Sequence, residues 1–176
     1  TKGSSSGISI VISGGEVKET KDSPSTGTTI EVRDIFFNTP ARKKFLKSNN
    51  TELFHIIDTV TKEALSHWGI AFRLTSDHKE TITLPLASGP KERIMQVYGE
   101  EFLDNITGVE TGTAELKMAA FFTKGNNFRN MKSHQFIFVN RRPVKDPSIS
   151  HAVYKAYEGI IPRDTHPVFF LFLDID

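Results

Sequence analysis

Apolar positions along the chain follow two spacings, a period of two and a period between three and four, and the switches between them mark out the elements. Ile8–Ile12 alternates in places and predicts a strand, with Gly14-Gly15 as a turn and Glu16–Glu19 able to pair back. Lys21–Thr26 is polar and contains Pro24, which predicts a loop. Thr29–Phe37 carries Ile30, Val32, Ile35 and Phe36 and predicts a strong strand. At Thr39-Pro40 the proline biases the threonine towards extended backbone and suits a first helical position, so a short basic helix is expected over Ala41–Lys47. Asn49 and Glu52 have the spacing of a capping box. Behind them Leu53, Ile56, Ile57, Val60, Ala64, Leu65 and Trp68 lie on one helical face, and Gly69 suits the end of that helix.

The period then returns to two. Ile70, Phe72 and Leu74 alternate, as do Ile82, Leu84 and Leu86, and Asp77-His78-Lys79 between them predicts a hairpin. Ala87-Ser88-Gly89-Pro90 is small, polar and helix-breaking, and it marks the expected boundary between a domain over 1–86 and another over 88–176. A helix is expected over Lys91–Tyr98, ended by Gly99, with strands near Ile106–Glu110 and Glu115–Thr123. Gly125–Ser133 predicts a polar loop and Gln135–Asn140 a strand. Pro147–Glu158 predicts a helix capped by Asp146 and ended by Gly159, and Val168–Asp174 a closing strand. Strand, helix, strand in that order implies two parallel strands joined by a crossover, so the fold class is mixed α+β, an α/β two-layer arrangement.

Composition narrows this only at the margins. The 176 residues, 38% of them hydrophobic, can bury one ordinary domain or a small domain and part of another. With no cysteine there is neither a disulfide framework nor a thiolate metal site. The longest apolar run, Val168–Leu173, has strand length and is far short of the roughly 20 residues of a membrane span, so no membrane role is expected. The start, TKGSSSGISI, lacks a signal-peptide pattern, and its Gly-Ser run reads equally as a natural loop or an appended segment.

A net charge of +1 hides an uneven distribution. From Lys117 to Lys145 the chain carries Lys117, Lys124, Arg129, Lys132, Arg141, Arg142 and Lys145 with no Asp or Glu between them. A second basic knot is Arg42, Lys43, Lys44 and Lys47. Such clusters are either solvated surface or sites that neutralise phosphates and release counterions. The interleaved Phe121, Phe122, Phe128 and Phe136 could stack on bases, though such residues more often belong to a core. No phosphate-binding glycine motif and no His-Glu-x-x-His is present, and the six histidines stand singly, so no catalytic or metal centre is expected.

Residues 27–46, G-T-T-I-E-V-R-D-I-F-F-N-T-P-A-R-K-K-F-L, resemble nearly position for position the signature block of MutL homologues, which carry G-T-T-V, a strand, and F-F-N-T-P-A-R-x-K-F-L. Residues 138–144, F-V-N-R-R-P-V, are similar to the family's F-V-N-x-R strand end, so the resemblance covers essentially the whole chain. It implies a DNA mismatch repair protein of the GHKL ATPase superfamily. The back part of an ATPase lobe with its connecting helix would span 1–86, and most of a ribosomal-protein-like transducer domain 88–176, with the left-handed crossover that family shows. Of the nucleotide site, only Gly27 and Thr28 match a family motif, and a tight turn opening a strand is the alternative for them.

The family's catalytic glutamate, magnesium-ligating asparagine, lid and phosphate-sensing lysine are expected outside these residues. ATP and magnesium would therefore serve the full-length protein, and this chain alone is expected to bind neither and to turn over no ATP. DNA backbone contact would fall to Arg141, Arg142 and Lys145, then Arg42 and Lys44, with Lys132 and Arg129 beside them. Implied partners are non-sequence-specific DNA, the mismatch-recognition protein MutS and a second copy of the full-length protein. The implied location is the bacterial cytoplasm or the eukaryotic nucleus. A protein-interaction module, or the transducer of another GHKL ATPase such as a topoisomerase, is the competing reading.

Overall fold

The computed structural model describes residues 7–24, 26–125 and 127–176; the Gly-Ser run at 3–6 lies outside them. The chain divides into two compact units, 1–52 and 53–176, each described by itself.

In the first unit β1 (Gly7–Ser13) and β2 (Glu16–Ser23) form an antiparallel hairpin. Its turn, Gly14-Gly15, has φ of 62° and 88°, values open to glycine at little cost. The return strand is longer than its sequence pattern suggests, because Lys21–Ser23, expected as loop, continue the ladder to Gly7. The strand expected over Thr29–Phe37 does not form. No described residue offers that segment a ladder partner, and positive φ at Asp34 and Phe36 breaks extension. Ile30 and Val32 are accordingly 83% and 72% exposed. Here β propensity is overridden by the lack of a neighbour. The basic helix α1 spans only Pro40–Lys44, and Thr39 makes no side-chain cap.

The long helix α2 (Asn49–Ser66) begins one residue earlier than a cap at Asn49 would allow. Ser48 caps it instead, its Oγ accepting from the Thr51 N–H, while a Glu52 carboxylate oxygen accepts from the Lys47 N–H at 2.8 Å. The reciprocal logic of a capping box survives, displaced by one residue.

In the second unit, β3 (Phe72–Ser76) and β4 (Lys79–Leu84) pair through a two-residue turn at Asp77-His78, both with positive φ. Helix α3 (Pro90–Tyr98) ends at Gly99 with φ 91°, and a short helix α4 (Glu100–Asp104), not foreseen from the sequence, follows. The sheet comprises β5 (Ile106–Gly112), β6 (Leu116–Thr123), β7 (Gln135–Val139), β8 (Arg142–Val144) and β9 (Phe169–Ile175), in the order β5-β6-β9-β7-β8. Only β7 and β9 are parallel, as the strand–helix–strand order predicts, and α5 (Pro147–Ala156) lies between them in sequence.

Strand β9 is central and almost wholly apolar because both of its faces are covered. Its side chains alternate. Phe170 and Phe172 join Leu65, Ile94, Phe121 and Phe138 in one core, while Phe169 and Leu171 join Ala120, Ile137 and Val153 in the other. Of the four phenylalanines weighed for base stacking, Phe121 is buried, Phe122 and Phe136 pack against the two cores, and Phe128 meets Tyr157 edge-on at 5.6 Å. Packing accounts for all four.

Helix α5 starts as the sequence indicates, with an Asp146 carboxylate oxygen accepting from the Ile149 N–H at 2.8 Å. Asp146→Ala should cost about 1 kcal/mol through loss of this cap, visible as a shifted midpoint in denaturant unfolding. An unchanged midpoint would show that the cap contributes nothing.

Candidate nucleic-acid interface

The basic residues of 117–145 do not gather in one place. Arg129 and Lys132 precede β7, whereas Arg141, Arg142 and Lys145 follow it. A five-residue strand separates the two groups by roughly 17 Å.

At the first end, Arg129 pairs its backbone with His166, donating at 2.9 Å and accepting at 2.7 Å. Its guanidinium lies 5.9 Å from the Phe102 ring centre, and the Lys132 ammonium lies 5.9 Å from that of Tyr154. His134 stands beside them with φ 59°, its ring edge-on to Tyr98 at 4.8 Å and its Nδ1 buried without a protein partner. Burial, and then the charge of Arg129, hold this imidazole below the usual histidine range. His134 therefore adds a rigid neutral ring here rather than a third cation.

At the other end, β7 turns into β8 through Asn140 and Arg141, whose φ values are 48° and 63°. Two consecutive positive φ values are the requirement of a type I′ hairpin turn. The sequence pattern predicts one strand to Asn140 and misses both the turn and β8. The signal available was an asparagine at a strand end, a residue that tolerates this conformation. Arg141, Arg142 and Lys145 are exposed, and among the described residues none forms a salt bridge. The Arg141 guanidinium lies 5.1 Å from the Trp68 ring centre, a stacking geometry suited to a cation over an indole. Spacing alone assigns Trp68 only to a helix face.

Arg42 and Lys44 are exposed on α1 in the other compact unit, and they too form no salt bridge among the described residues. Gly27 has φ 85° with open space where a Cβ would stand, and Thr28 is exposed. No group of three or more potential metal ligands occurs among the described residues. A concavity of about 470 Å³ beside β5 mixes Lys91 and Lys124 with Asp104 and Glu110 and presents no catalytic arrangement. No helix among the described residues is long and apolar enough to cross a membrane.

The architecture defines the class first. This mixed α/β fold is that of the ATPase domain of Aquifex aeolicus MutL complexed with ADP, with TM-score 0.68 and 24% identity over 98% of this chain and 63% of that one. It also matches the N-terminal domain of a DNA repair protein, with TM-score 0.75 and 19% identity over all of this chain and 58% of that one. The family model for the DNA mismatch repair protein, C-terminal domain, matches residues 94–176. The MutL of Thermodesulfovibrio yellowstonii is 39% identical over 174 residues, covering 99% of this chain and 31% of that protein. The chain belongs to the MutL family of DNA mismatch repair proteins, which removes the topoisomerase alternative. It spans about a third of the length of the curated relatives it matches.

Proposed function

We propose that this chain is the coupling part of a MutL ATPase region, which contacts the DNA backbone without reading sequence and links nucleotide state to dimerisation of the full-length protein. The observation that carries the DNA reading is the β7–β8 turn: a rigid hairpin presenting Arg141 and Arg142, with Lys145 after it, free of carboxylate partners among the described residues. Guanidinium groups on a fixed turn suit phosphate, whose contacts set affinity and register but not sequence preference. Arg129 and Lys132 would meet the backbone farther along, with Arg42 and Lys44 as a further contact region.

The proposed domain division follows the family, with ATPase-lobe residues over 1–86 and the transducer over 88–176. The onset of the family match at residue 94 supports it. The bacterial relatives support a cytoplasmic location and, in the full-length protein, MutS as a partner. ATP and magnesium would serve that protein. Here Gly27, whose open left-handed backbone permits close approach of a phosphate, and Thr28, which offers a hydroxyl, would line one edge of the site.

The test is equilibrium binding of the full-length protein to duplexes of unrelated sequence across a salt series. The expected result is equal affinity for each duplex, falling linearly on logarithmic axes with a slope of about −0.9 per phosphate contacted. An affinity indifferent to salt, or no duplex binding at low salt, would instead favour a surface for acidic proteins.

A further inference from the structure

The turn that carries Arg141 is held by more than its own ladder. Asn140 donates its backbone N–H to the Leu173 carbonyl at 2.8 Å, the last backbone rung β7 can offer before the chain turns away. Its side chain then supplies the next rung. Nδ2 donates to the Ile175 carbonyl at 2.9 Å and Oδ1 accepts from the Ile175 N–H at 2.8 Å. A carboxamide has one donor face and one acceptor face, like a peptide group, so it can satisfy both backbone groups of one residue. Aspartate lacks the donor and glycine lacks both.

On its other side, the turn is pinned by the Arg141–Trp68 stack. Arg141 needs such support. A left-handed backbone is strained for a residue bearing a Cβ and persists where the surroundings enforce it.

We propose that Asn140 is a positioning residue whose carboxamide latches the β7–β8 turn to the end of β9 and so holds Arg141 and Arg142 at the spacing duplex phosphates require. This rests on the DNA-backbone reading above and adds to it a mechanical link, because the end of β9 and the basic turn must then move together. The simpler alternative is that asparagine is present only because it tolerates positive φ.

Asn140→Gly separates the two, since glycine supports the turn at least as well but has no latch. In the full-length protein, this variant should keep its fold by circular dichroism. The Ile175 amide should lose protection from hydrogen exchange. Duplex affinity at about 0.1 M salt should fall roughly eightfold, with the salt slope flatter by about 0.9, the signature of one phosphate that the protein no longer neutralises. Asn140→Ala, which likewise lacks both the donor and the acceptor of the carboxamide, should also lose Ile175 protection.

Wild-type protection at Ile175 in Asn140→Gly, or wild-type affinity and slope, overturns the latch if Arg141→Glu/Arg142→Glu still weakens binding. If that double reversal is also without effect, the DNA reading fails and the latch proposal falls with it. Should Asn140→Gly not fold, unaltered Ile175 protection in Asn140→Ala would overturn the latch, and a loss there would support it.

Discussion

Reversing both arginines of the β7–β8 turn, Arg141→Glu/Arg142→Glu, should weaken binding of the full-length protein to duplex DNA by on the order of 10²-fold near 0.1 M salt. Each phosphate neutralised contributes about 0.9 to the slope of log affinity against log salt, so freeing two phosphates flattens it by about 1.8. Between 1 M and 0.1 M salt that alone amounts to roughly 60-fold. Repulsion between the new carboxylates and the backbone adds to the loss at low salt. Both residues are exposed, and Arg141 gives up only its stack on Trp68, so the fold should survive with a small change in melting temperature. The decisive measurement is fluorescence anisotropy across a salt series, with unfolding monitored in parallel. An unchanged slope in a folded variant would remove this turn from the interface. Lys145→Glu serves as a milder companion: it changes one charge beside the Asp146 cap and should flatten the slope by about half as much.

The second large effect is expected at Arg93, which is fully buried in the first turn of α3. A cation is poorly placed there with respect to the helix dipole, and burial presses its ionisation below the usual arginine range. What holds it is reach. One terminal nitrogen, Nη2, donates to the Trp68 carbonyl at 2.8 Å and to the Ile70 carbonyl at 2.6 Å, just beyond the end of α2. Its guanidinium also lies 5.8 Å from the Phe72 ring centre. One side chain thereby ties α2, α3 and β3 together. Removing it strips a charged donor from two carbonyls, worth roughly 1.5–3 kcal/mol each, and leaves a cavity. Relief of the buried charge offsets part of this. Arg93→Ala should therefore destabilise the second compact unit by about 3–5 kcal/mol, lowering its melting temperature by on the order of 10 °C. Arg93→Met, which fills the space without a charge, should lose less. A melting temperature within about 2 °C of wild type for Arg93→Ala would show that the two carbonyl bonds carry little.

Much of the second unit is legible from spacing. The hairpin around Asp77-His78, the Gly99 stop, the Asp146 cap and the parallel β7–β9 pair all appear where the sequence places them. Each depends on residues close in the chain, or on an apolar period that the core enforces. The same rules fail at Thr29–Phe37, where the pattern says strand and no described strand lies alongside. A ladder is a property of two segments, and a sequence pattern describes one.

The basic candidates divide in the same way. Their charge, and the absence of carboxylates between 117 and 145, could be read directly from the residues, as could the family from the block at 27–46. Which of them share a surface could not, because β7 carries one group to each of its ends. Nor did spacing single out Asn140, Trp68 or Arg93. Their partners lie at Ile175, at Arg141, and at Trp68 and Ile70, and in each case the sequence separation is 23 residues or more. The sequence alone determined most of the local elements, the charge and the family, because these depend on neighbouring residues and residue type. Tertiary structure decided which cations are presented together and what holds them in place, because those depend on contacts that only the folded chain brings within bonding distance.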